Sequence, residues 1–275
     1  IVGLGIEFAW AQMKKEEIQE GYLVSGILIP LIIPINCPLW ILALAVAFSV
    51  IFVKEIFGGT GMNIFNVALA ARALMFFSYP TEMSGDSVWV ARDTIFGLGN
   101  TVPDTFTQAT QLALVSKGID AGYGISDMVF GFIPGSVGET SVIAIAIGAL
   151  ILLITGIASW KIMLSVFVGG AVTAAMFHAA DMTSIPWYEH LFLGGFCFGA
   201  VFMATDPVTS ARTETGKYIY GLLIGVMAVI VRVMNPGYPE GMMLAILFMN
   251  MFAPLIDYCV VQRNVSMRAK RSVKK

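Results

Sequence analysis

Long apolar runs recur along this chain, and they constrain its fold more than any other feature. A helix that spans a bilayer needs about 20 apolar residues, and several of the runs approach that length. The sequence is 57% hydrophobic and 12% charged, with a mean hydropathy of +0.82, which is far from the balance of a soluble domain. We therefore predict an all-α, polytopic integral membrane protein with about nine transmembrane helices. The candidate spans are residues 1–13, 23–35, 39–53, 66–79, 140–157, 162–178, 191–205, 218–233 and 242–261.

Several of these spans are short or interrupted by glycine and proline. The run 23–35 ends at Pro34 and Pro38, and the run 66–79 begins directly after a glycine cluster. Short, broken spans are typical of discontinuous helices that meet at an internal site. The chain also opens inside an apolar run without a starting methionine. We therefore expect the N-terminus to be truncated, with further spans upstream.

The distribution of lysine and arginine predicts the topology. If the C-terminal tail is cytoplasmic, that side carries twelve basic residues, the other side carries three, and Arg72 lies inside a span. Cytoplasmic loops carry such an excess. We therefore predict a single transmembrane domain over 1–275, a cytoplasmic basic tail at 262–275 and a long periplasmic loop over 80–139. A lipid-surface anchor is an alternative role for the tail. The twelve are Lys14, Lys15, Lys54, Lys161, Arg212, Lys217, Arg263, Arg268, Lys270, Arg271, Lys274 and Lys275, and the three are Arg92, Lys117 and Arg232.

The segment 57–72 places polar residues between two strongly apolar runs. It holds three glycines together with Asn63, Asn66 and Arg72. An unpaired polar group in hydrocarbon costs several kcal/mol, so such side chains usually face a cavity, an ion path or a ligand. Because the two asparagines are three residues apart, we expect both carboxamides on one helical face. The segment is predicted to be a binding site.

A second polar break resembles the first. Residues 57–61 and 202–207 both place small and polar residues at the predicted cytoplasmic end of a span, and another helix follows each. Two such breaks favour the inverted-repeat fold of channels and transporters. Asp206 and Pro207 lie in the second break, where free carbonyl groups can coordinate Na⁺, and a solvated turn is the competing interpretation.

Two carboxylates lie in or beside apolar runs. Glu7 belongs to the first run and Asp257 lies near the predicted cytoplasmic end of the last. An ionised carboxylate in a span is energetically expensive, so both are candidates for cation or proton handling. For Asp257, solvation at the membrane interface is an equally good interpretation.

The predicted external loop contains two further polar segments. Three threonines lie within residues 105–110, and they favour either an N-terminal helix cap or a hydroxyl that carries a phosphate. Ser136 and Glu139 have the spacing of a capping box before the next span.

The cysteines and histidines give no metal-site signal. Cys37, Cys197 and Cys259 are isolated, and His178 and His190 are twelve residues apart. We therefore expect no zinc site, no iron–sulfur cluster and no other resident metal held by this chain alone.

Five segments together are similar to the B subunit of the Na⁺-translocating NADH:quinone oxidoreductases, and the similarity extends over essentially the whole chain. The D subunit of the Rnf complexes is a paralogue with the same general plan. Residues 157–160 and 239–243 look more like the quinone reductase protein. The five segments are 57–73, 84–89, 133–139, 202–207 and 235–248.

The resemblance implies two flavins and several further site residues. It implies FMN attached by a phosphoester to Thr110, the last residue of a motif in which Gln108 replaces the usual glycine. It also implies a noncovalent riboflavin at Asn63 and Asn66. The remaining roles that it implies are Na⁺ handling by Glu7 and Asp257 and a quinone region at Gly3; no catalytic residue is assigned.

The resemblance also implies a function. The chain would be one component of a bacterial inner-membrane sodium pump that passes electrons through FMN and riboflavin to ubiquinone or menaquinone. It would need the other membrane and peripheral subunits for NADH oxidation, and no nucleic-acid partner is expected. An Rnf-type electron-transfer protein is the first alternative, and a channel or transporter without redox chemistry is the second.

Overall fold

The structure is a computed structural model that describes residues 1–17, 21–35, 37–83, 112, 124–133, 135–183, 185–235 and 240–273. All the regular elements in these ranges are helical, as predicted. The α-helices in these ranges are α1 (Val2–Lys14), α2 (Tyr22–Ile32), α3 (Leu39–Ser49), α4 (Val67–Ser78), α5 (Pro80–Met83), α6 (Ile125–Phe130), α7 (Val142–Ile154), α8 (Trp160–Ala179), α9 (Glu189–Phe192), α10 (Phe196–Phe198), α11 (Glu214–Met234) and α12 (Met242–Val273).

Four helices are long and apolar enough to cross a membrane, and three shorter apolar helices accompany them within the described ranges. This pattern confirms a multi-pass membrane protein, whereas the count of nine spans stays a prediction. The long ones are Leu39–Phe57, Trp160–Ala179, Glu214–Met234 and Met242–Arg271, and the shorter ones are Tyr22–Ile32, Val67–Ser78 and Val142–Ile154.

Side-chain caps fix where several spans begin. Oxygens of Asn66, Ser141 and Thr213 accept backbone N–H groups at the starts of α4, α7 and α11. These bonds satisfy donors that a helix start leaves without partners. The predicted capping box at Ser136 and Glu139 is therefore wrong, because α7 begins at Val142 and Ser141 is its cap.

Helices α8 and α11 pack closely at glycines. A Cβ added at Gly225 would lie 2.2 Å from the Val166 carbonyl oxygen, and one at Gly221 would lie 2.7 Å from the Ile162 carbonyl oxygen. Small residues allow this close approach between spans. Since residue 162 meets 221 and residue 166 meets 225, the two helices run parallel.

The bundle has two distinguishable ends. Thr213, at the start of α11, bonds to Asp257 of α12, and the basic segment follows Asp257; we call this the tail end. Arg232 near the end of α11 and Arg72 of α4 both meet Glu240, directly before α12; we call this the Glu240 end. Asn66, at the start of α4, contacts Asn250 within α12, whereas the later Arg72 contacts Glu240 before α12, so α4 and α11 run in the same direction.

A π-helical segment leads into each predicted break. Val50–Lys54 precedes the first break, and Gly199–Met203 overlaps the start of the second at residues 202–203. The predicted span 191–205 has a further interruption that the sequence analysis did not predict, at Gly194, whose φ is +59° between α9 and α10. The helices that follow both breaks run toward the Glu240 end. This pair of breaks does not by itself establish an inverted repeat, which stays a prediction.

The predicted basic tail continues the last span. Helix α12 extends from Met242 to Val273. The segment 262–273 is therefore helical and continues the last span without interrupting the helix.

Candidate functional site

The glycine-rich segment turns the chain back into the bundle. After the 3₁₀ turn Glu55–Phe57, Gly58, Gly59 and Gly61 adopt φ values of 121°, 86° and 89°. Side-chain-bearing residues rarely adopt such values, whereas glycine does so without steric cost. The glycines therefore allow a turn that would be sterically strained with any other residue, and this turn positions the two asparagines.

The two asparagines do not share a helical face, so that prediction is wrong. Helix α4 begins only at Val67, and the residues before it are irregular. Asn63 Nδ2 donates to the Phe65 carbonyl oxygen at 3.3 Å. Asn66 Oδ1 caps α4, accepting from Ala68 N and Leu69 N at 3.1 and 3.2 Å.

Each carboxamide retains one polar atom for a ligand. The hydrogen bonds among the described residues engage Asn63 Nδ2 and Asn66 Oδ1. Asn63 Oδ1 therefore remains as an acceptor and Asn66 Nδ2 as a donor. An acceptor and a donor in one short segment suit a planar ligand with both kinds of group on its edge.

An apolar cavity of about 730 Å³ adjoins this segment. Phe57 and Phe65 lie at the two ends of the glycine-rich turn and line the cavity, whereas Asn63 and Asn66 are not among its lining residues. Its volume falls within the usual range of ligand sites, about 300–1,000 Å³. The aromatic residues that line it are Phe48, Phe52, Phe57, Phe65, Phe77 and Phe248.

Two buried polar residues support Asn66 from α11 and α12. Tyr220 Oη and the Asn250 amide lie 2.7 Å apart, and both residues are at most 1% exposed. With its amide turned to satisfy its neighbours, the Asn250 oxygen accepts from the Asn66 backbone N–H at 3.2 Å. The buried Asn66, at the end of the glycine-rich segment, is thus tied to α12 and, through Asn250, to α11.

Glu7 is buried and paired with a lysine. Its Oε1 accepts from Lys54 Nζ, and the two side chains are 5% and 4% exposed. Glu7 Oε2 is buried without a hydrogen-bond partner in the described part of the chain. Lys54, which the topology prediction counts on the cytoplasmic side, ends the first π-helical segment and neutralises Glu7.

Gly3 lies on the same face of α1 as Glu7. A Cβ at Gly3 would lie 2.1 Å from Cζ of Tyr22, so this position must be glycine for the ring to pack there. A Cβ at Gly21 would lie 2.4 Å from Cγ2 of Thr60. These contacts bring the start of α2 against α1 and the glycine-rich segment. The structure therefore brings Gly3, Glu7 and that segment into one region.

Asp257 lies apart from this region, at the tail end. Its Oδ1 accepts from Thr213 N and Oγ1 at 2.9 and 2.6 Å, and its Oδ2 accepts from Arg212 N at 2.7 Å. These bonds fix α12 to the start of α11.

Asp206 forms a closed local turn. Its Oδ1 accepts from Val208 N at 3.1 Å and its Oδ2 accepts from Thr209 Oγ1 at 3.0 Å. Burial raises the pKa of Asp206 above its ordinary value, and the two hydrogen bonds oppose that shift.

Arg72 joins two carboxylates at the Glu240 end. Its Nη1 lies 2.9 Å from Glu139 Oε1, and its Nη2 pairs with Glu240. Arg72 and Glu139 are 7% and 6% exposed. A Cβ at Gly195 would lie 2.8 Å from Glu139 Oε1, so glycine makes room for the carboxylate. This network links α4 to the segments before α7 and α12.

Arg232 satisfies carbonyl groups at the interruption around Gly194, between α9 and α10. It donates to the carbonyl oxygens of His190 at 2.5 Å and Leu193 at 3.1 Å, where α9 ends. These carbonyl groups have no helical partner at the break. The topology prediction counts Arg232 on the side opposite the tail, and the structure buries its side chain within the bundle.

Thr110 lies outside the described residues. Leu112, two positions later in the sequence, is 4% exposed and packs in a small apolar cluster at the Glu240 end. The other members of that cluster are Met128, Ile133, Ile185 and Leu193.

Sequence reasoning missed several partners at these sites. Lys54 is the counter-charge of Glu7, Asn250 supports Asn66, and Glu240 pairs with Arg72. Asn250 carried a recognisable signal, because it is an amide inside a long apolar run. Lys54 and Glu240 look like ordinary residues at the ends of spans.

Comparison with known proteins places the chain in a family. A profile of the NQR2, RnfD, RnfE family matches residues 1–266. The B subunit of the Na(+)-translocating NADH-quinone reductase of Chromohalobacter salexigens is 52% identical over 270 residues, which are 96% of this chain and 64% of that protein. The same-named proteins of Ectopseudomonas mendocina and Klebsiella pneumoniae are each 49% identical, over 99% and 98% of this chain and 68% and 66% of their own lengths.

The chain spans about two thirds of the length of these relatives. The profile covers nearly all of it, and the identities are close to one half. The apolar helices and the buried polar sites agree with a membrane family. The chain belongs to the NQR2, RnfD, RnfE family.

Proposed function

We propose that this chain is the flavin-carrying membrane part of the B subunit of a Na⁺-translocating NADH:quinone reductase. The observation that supports this most strongly is the Asn63–Asn66 segment beside its aromatic cavity, in a chain 52% identical to a relative with that name. The chain would act with the other subunits of the complex in the bacterial inner membrane. The relatives' names favour this function over an Rnf-type protein.

Riboflavin is the proposed ligand of the glycine-rich segment. Asn63 Oδ1 would accept from an N–H group of the ring, and Asn66 Nδ2 would donate to a ring carbonyl. Phenylalanines of the cavity would exclude water from the ring. When bound, a flavin supplies electron transfer, and the protein contributes orientation and local polarity.

Asn63→Leu and Asn66→Ser are each expected to lower extractable riboflavin about tenfold, because a lost buried hydrogen bond costs about 1–3 kcal/mol. Serine keeps a capping oxygen for α4, so Asn66→Ser should unfold at nearly the wild-type temperature. Riboflavin is measured by extraction from the purified full-length protein and chromatography. The exposed Asn264→Leu is the control. Normal riboflavin content in both site variants would exclude this assignment.

Covalent FMN at Thr110 is the second proposed cofactor. We propose that the loop 80–139 is periplasmic and that the tail end faces the cytoplasm. The two flavin sites would then lie at different depths and carry electrons across the bilayer toward a quinone.

Glu7 is the stronger of the two proposed Na⁺ residues. Its Oε2 is buried without a hydrogen bond in the described part of the chain, whereas both oxygens of Asp257 already accept hydrogen bonds that fix two helices. Lys54 would compete with Na⁺ for the Glu7 carboxylate. Either the lysine or the sodium ion would then balance the negative charge of Glu7.

Glu7→Gln is expected to remove the Na⁺ stimulation of quinone reduction in the assembled complex. This variant also leaves Lys54 buried without its counter-charge, which costs about 3–5 kcal/mol. The double variant Glu7→Gln/Lys54→Met should therefore recover much of the stability without recovering the response to Na⁺. The rate of quinone reduction is measured in NaCl and in KCl at equal ionic strength. Retained Na⁺ stimulation in the stable double variant would contradict the role of Glu7.

Gly3→Ala tests the proposed quinone region. The added methyl group would meet the Tyr22 ring, whereas a Cβ at Gly5 would meet nothing within 4 Å. We expect Gly3→Ala to raise the KM for quinone severalfold and Gly5→Ala to leave it unchanged. Steady-state kinetics with a soluble quinone compare the two variants. Equal KM values in both would argue against a quinone contact at Gly3.

A further inference from the structure

A second cavity, of about 410 Å³, opens at the tail end of the bundle. It lies between the starts of α8 and α11, beside the segment that follows the second break. Three basic residues line it, Lys161, Lys217 and Arg212. Hydroxyl groups of Ser159 and Ser210 also belong to its lining residues. The proposed flavin, quinone and Na⁺ sites make no use of this cavity.

The cavity carries an excess of positive charge. Among its lining residues three are basic and one, Glu214, is acidic, which gives a formal charge of +2. Glu214 is 65% exposed and pairs with Lys161 and, at 2.8 Å, with Lys217. The nearby Asp257 carboxylate bonds to the Arg212 backbone N–H. No ion pair of the Arg212 side chain occurs among the described residues, and that side chain is exposed.

The mouth of the cavity borders the apolar surface of the bundle. Ile154, Ile157 and Leu164 are 77%, 61% and 50% exposed, as expected of residues that face lipid tails. The rings of Trp160 and Tyr218 pack edge to face with their centroids 6.2 Å apart, and Lys161 Nζ lies 5.9 Å from each centroid. Tryptophan and tyrosine are enriched where tails meet headgroups. The cavity thus opens at headgroup level.

We propose that this cavity binds the phosphate-bearing headgroup of an acidic phospholipid. Basic pockets between transmembrane helices are suited to such headgroups. Lysine, arginine and serine would supply charge-assisted and neutral hydrogen bonds to phosphate oxygens. The exposed isoleucines and Leu164 would contact the acyl chains. A free phosphate shares the headgroup chemistry but gains nothing from this apolar border.

The test uses the purified full-length protein in nanodiscs of phosphatidylcholine, with or without phosphatidylglycerol. Phosphatidylglycerol should raise the unfolding temperature, and native mass spectrometry should detect it bound. Arg212→Gln/Lys217→Gln should lose at least half of both effects, since Lys161 alone remains to balance Glu214. Arg263→Gln/Arg268→Gln, an equal charge change outside the cavity, should keep them. Glu214→Gln should increase the amount of lipid bound.

Several outcomes would overturn the proposal. Equal losses in the cavity and control variants would mean that phosphatidylglycerol acts through general charge. A shift produced by inorganic phosphate in phosphatidylcholine nanodiscs, with none from phosphatidylglycerol, would identify free phosphate as the ligand. If the cavity variant fails to fold, wild-type protein must still select phosphatidylglycerol over phosphatidylcholine, and Glu214→Gln must strengthen that selection.

Discussion

Thr110→Ala is expected to abolish the covalent flavin of the full-length protein. A phosphoester needs a hydroxyl oxygen, and alanine has none, so the loss should be complete. The measurement is flavin fluorescence of the denatured protein in a gel under ultraviolet light. This prediction depends on the resemblance of residues 107–110 to the flavin-attachment motif.

Thr107→Ala is the matched control, because it removes a threonine three residues away in the same motif. Its fluorescence should persist. Fluorescence that survives Thr110→Ala but is lost with Thr107→Ala would contradict attachment at Thr110 and assign it to Thr107. If the wild-type protein itself carries no covalent flavin, a transporter without redox chemistry would be favoured.

Arg72→Met is expected to destabilise the protein by about 3–5 kcal/mol, the usual effect of removing one partner from a buried ion pair. The Arg72 partners Glu139 and Glu240 are only 6% and 20% exposed. Lys217→Met is the matched control, since its partner Glu214 is 65% exposed. Exposed pairs contribute little to stability, because water screens them.

Chemical unfolding in detergent measures both variants. The second-site variant Arg72→Met/Glu139→Gln should recover part of the lost stability, because it removes one of the carboxylates that Arg72 neutralised. Equal losses for Arg72→Met and Lys217→Met would show that the network at the Glu240 end contributes no more than a surface pair.

Local features of the fold were predictable from the sequence. Apolar runs predict helices because backbone groups in hydrocarbon must bond within their own segment. The glycine cluster predicts a break, and Gly58, Gly59 and Gly61 do adopt positive φ values. The same glycines explain why Asn63 and Asn66 do not share a helical face. They keep the chain irregular up to residue 66, so α4 begins only at Val67.

The charge partners could not be predicted, because they join distant parts of the chain. Lys54 and Glu7 are 47 residues apart, and Arg72 lies 67 residues from Glu139 and 168 from Glu240. Sequence spacing gives no information on such pairs. Lys54 looks like a loop residue after an apolar run, whereas in the structure it is buried and paired with Glu7.

The length of the last helix has a mechanical consequence. Asp257 fixes α12 to the start of α11, and 16 residues follow it up to Val273. At 1.5 Å per residue this extension is about 24 Å long, and residues 261–271 are all exposed. The extension is therefore a continuous helical arm that projects from the anchor at Asp257. A tilt of the arm by about 10° at this anchor would displace its tip by roughly 4 Å, so a small tilt of the bundle end would move the basic residues by several times the shift at Asp257.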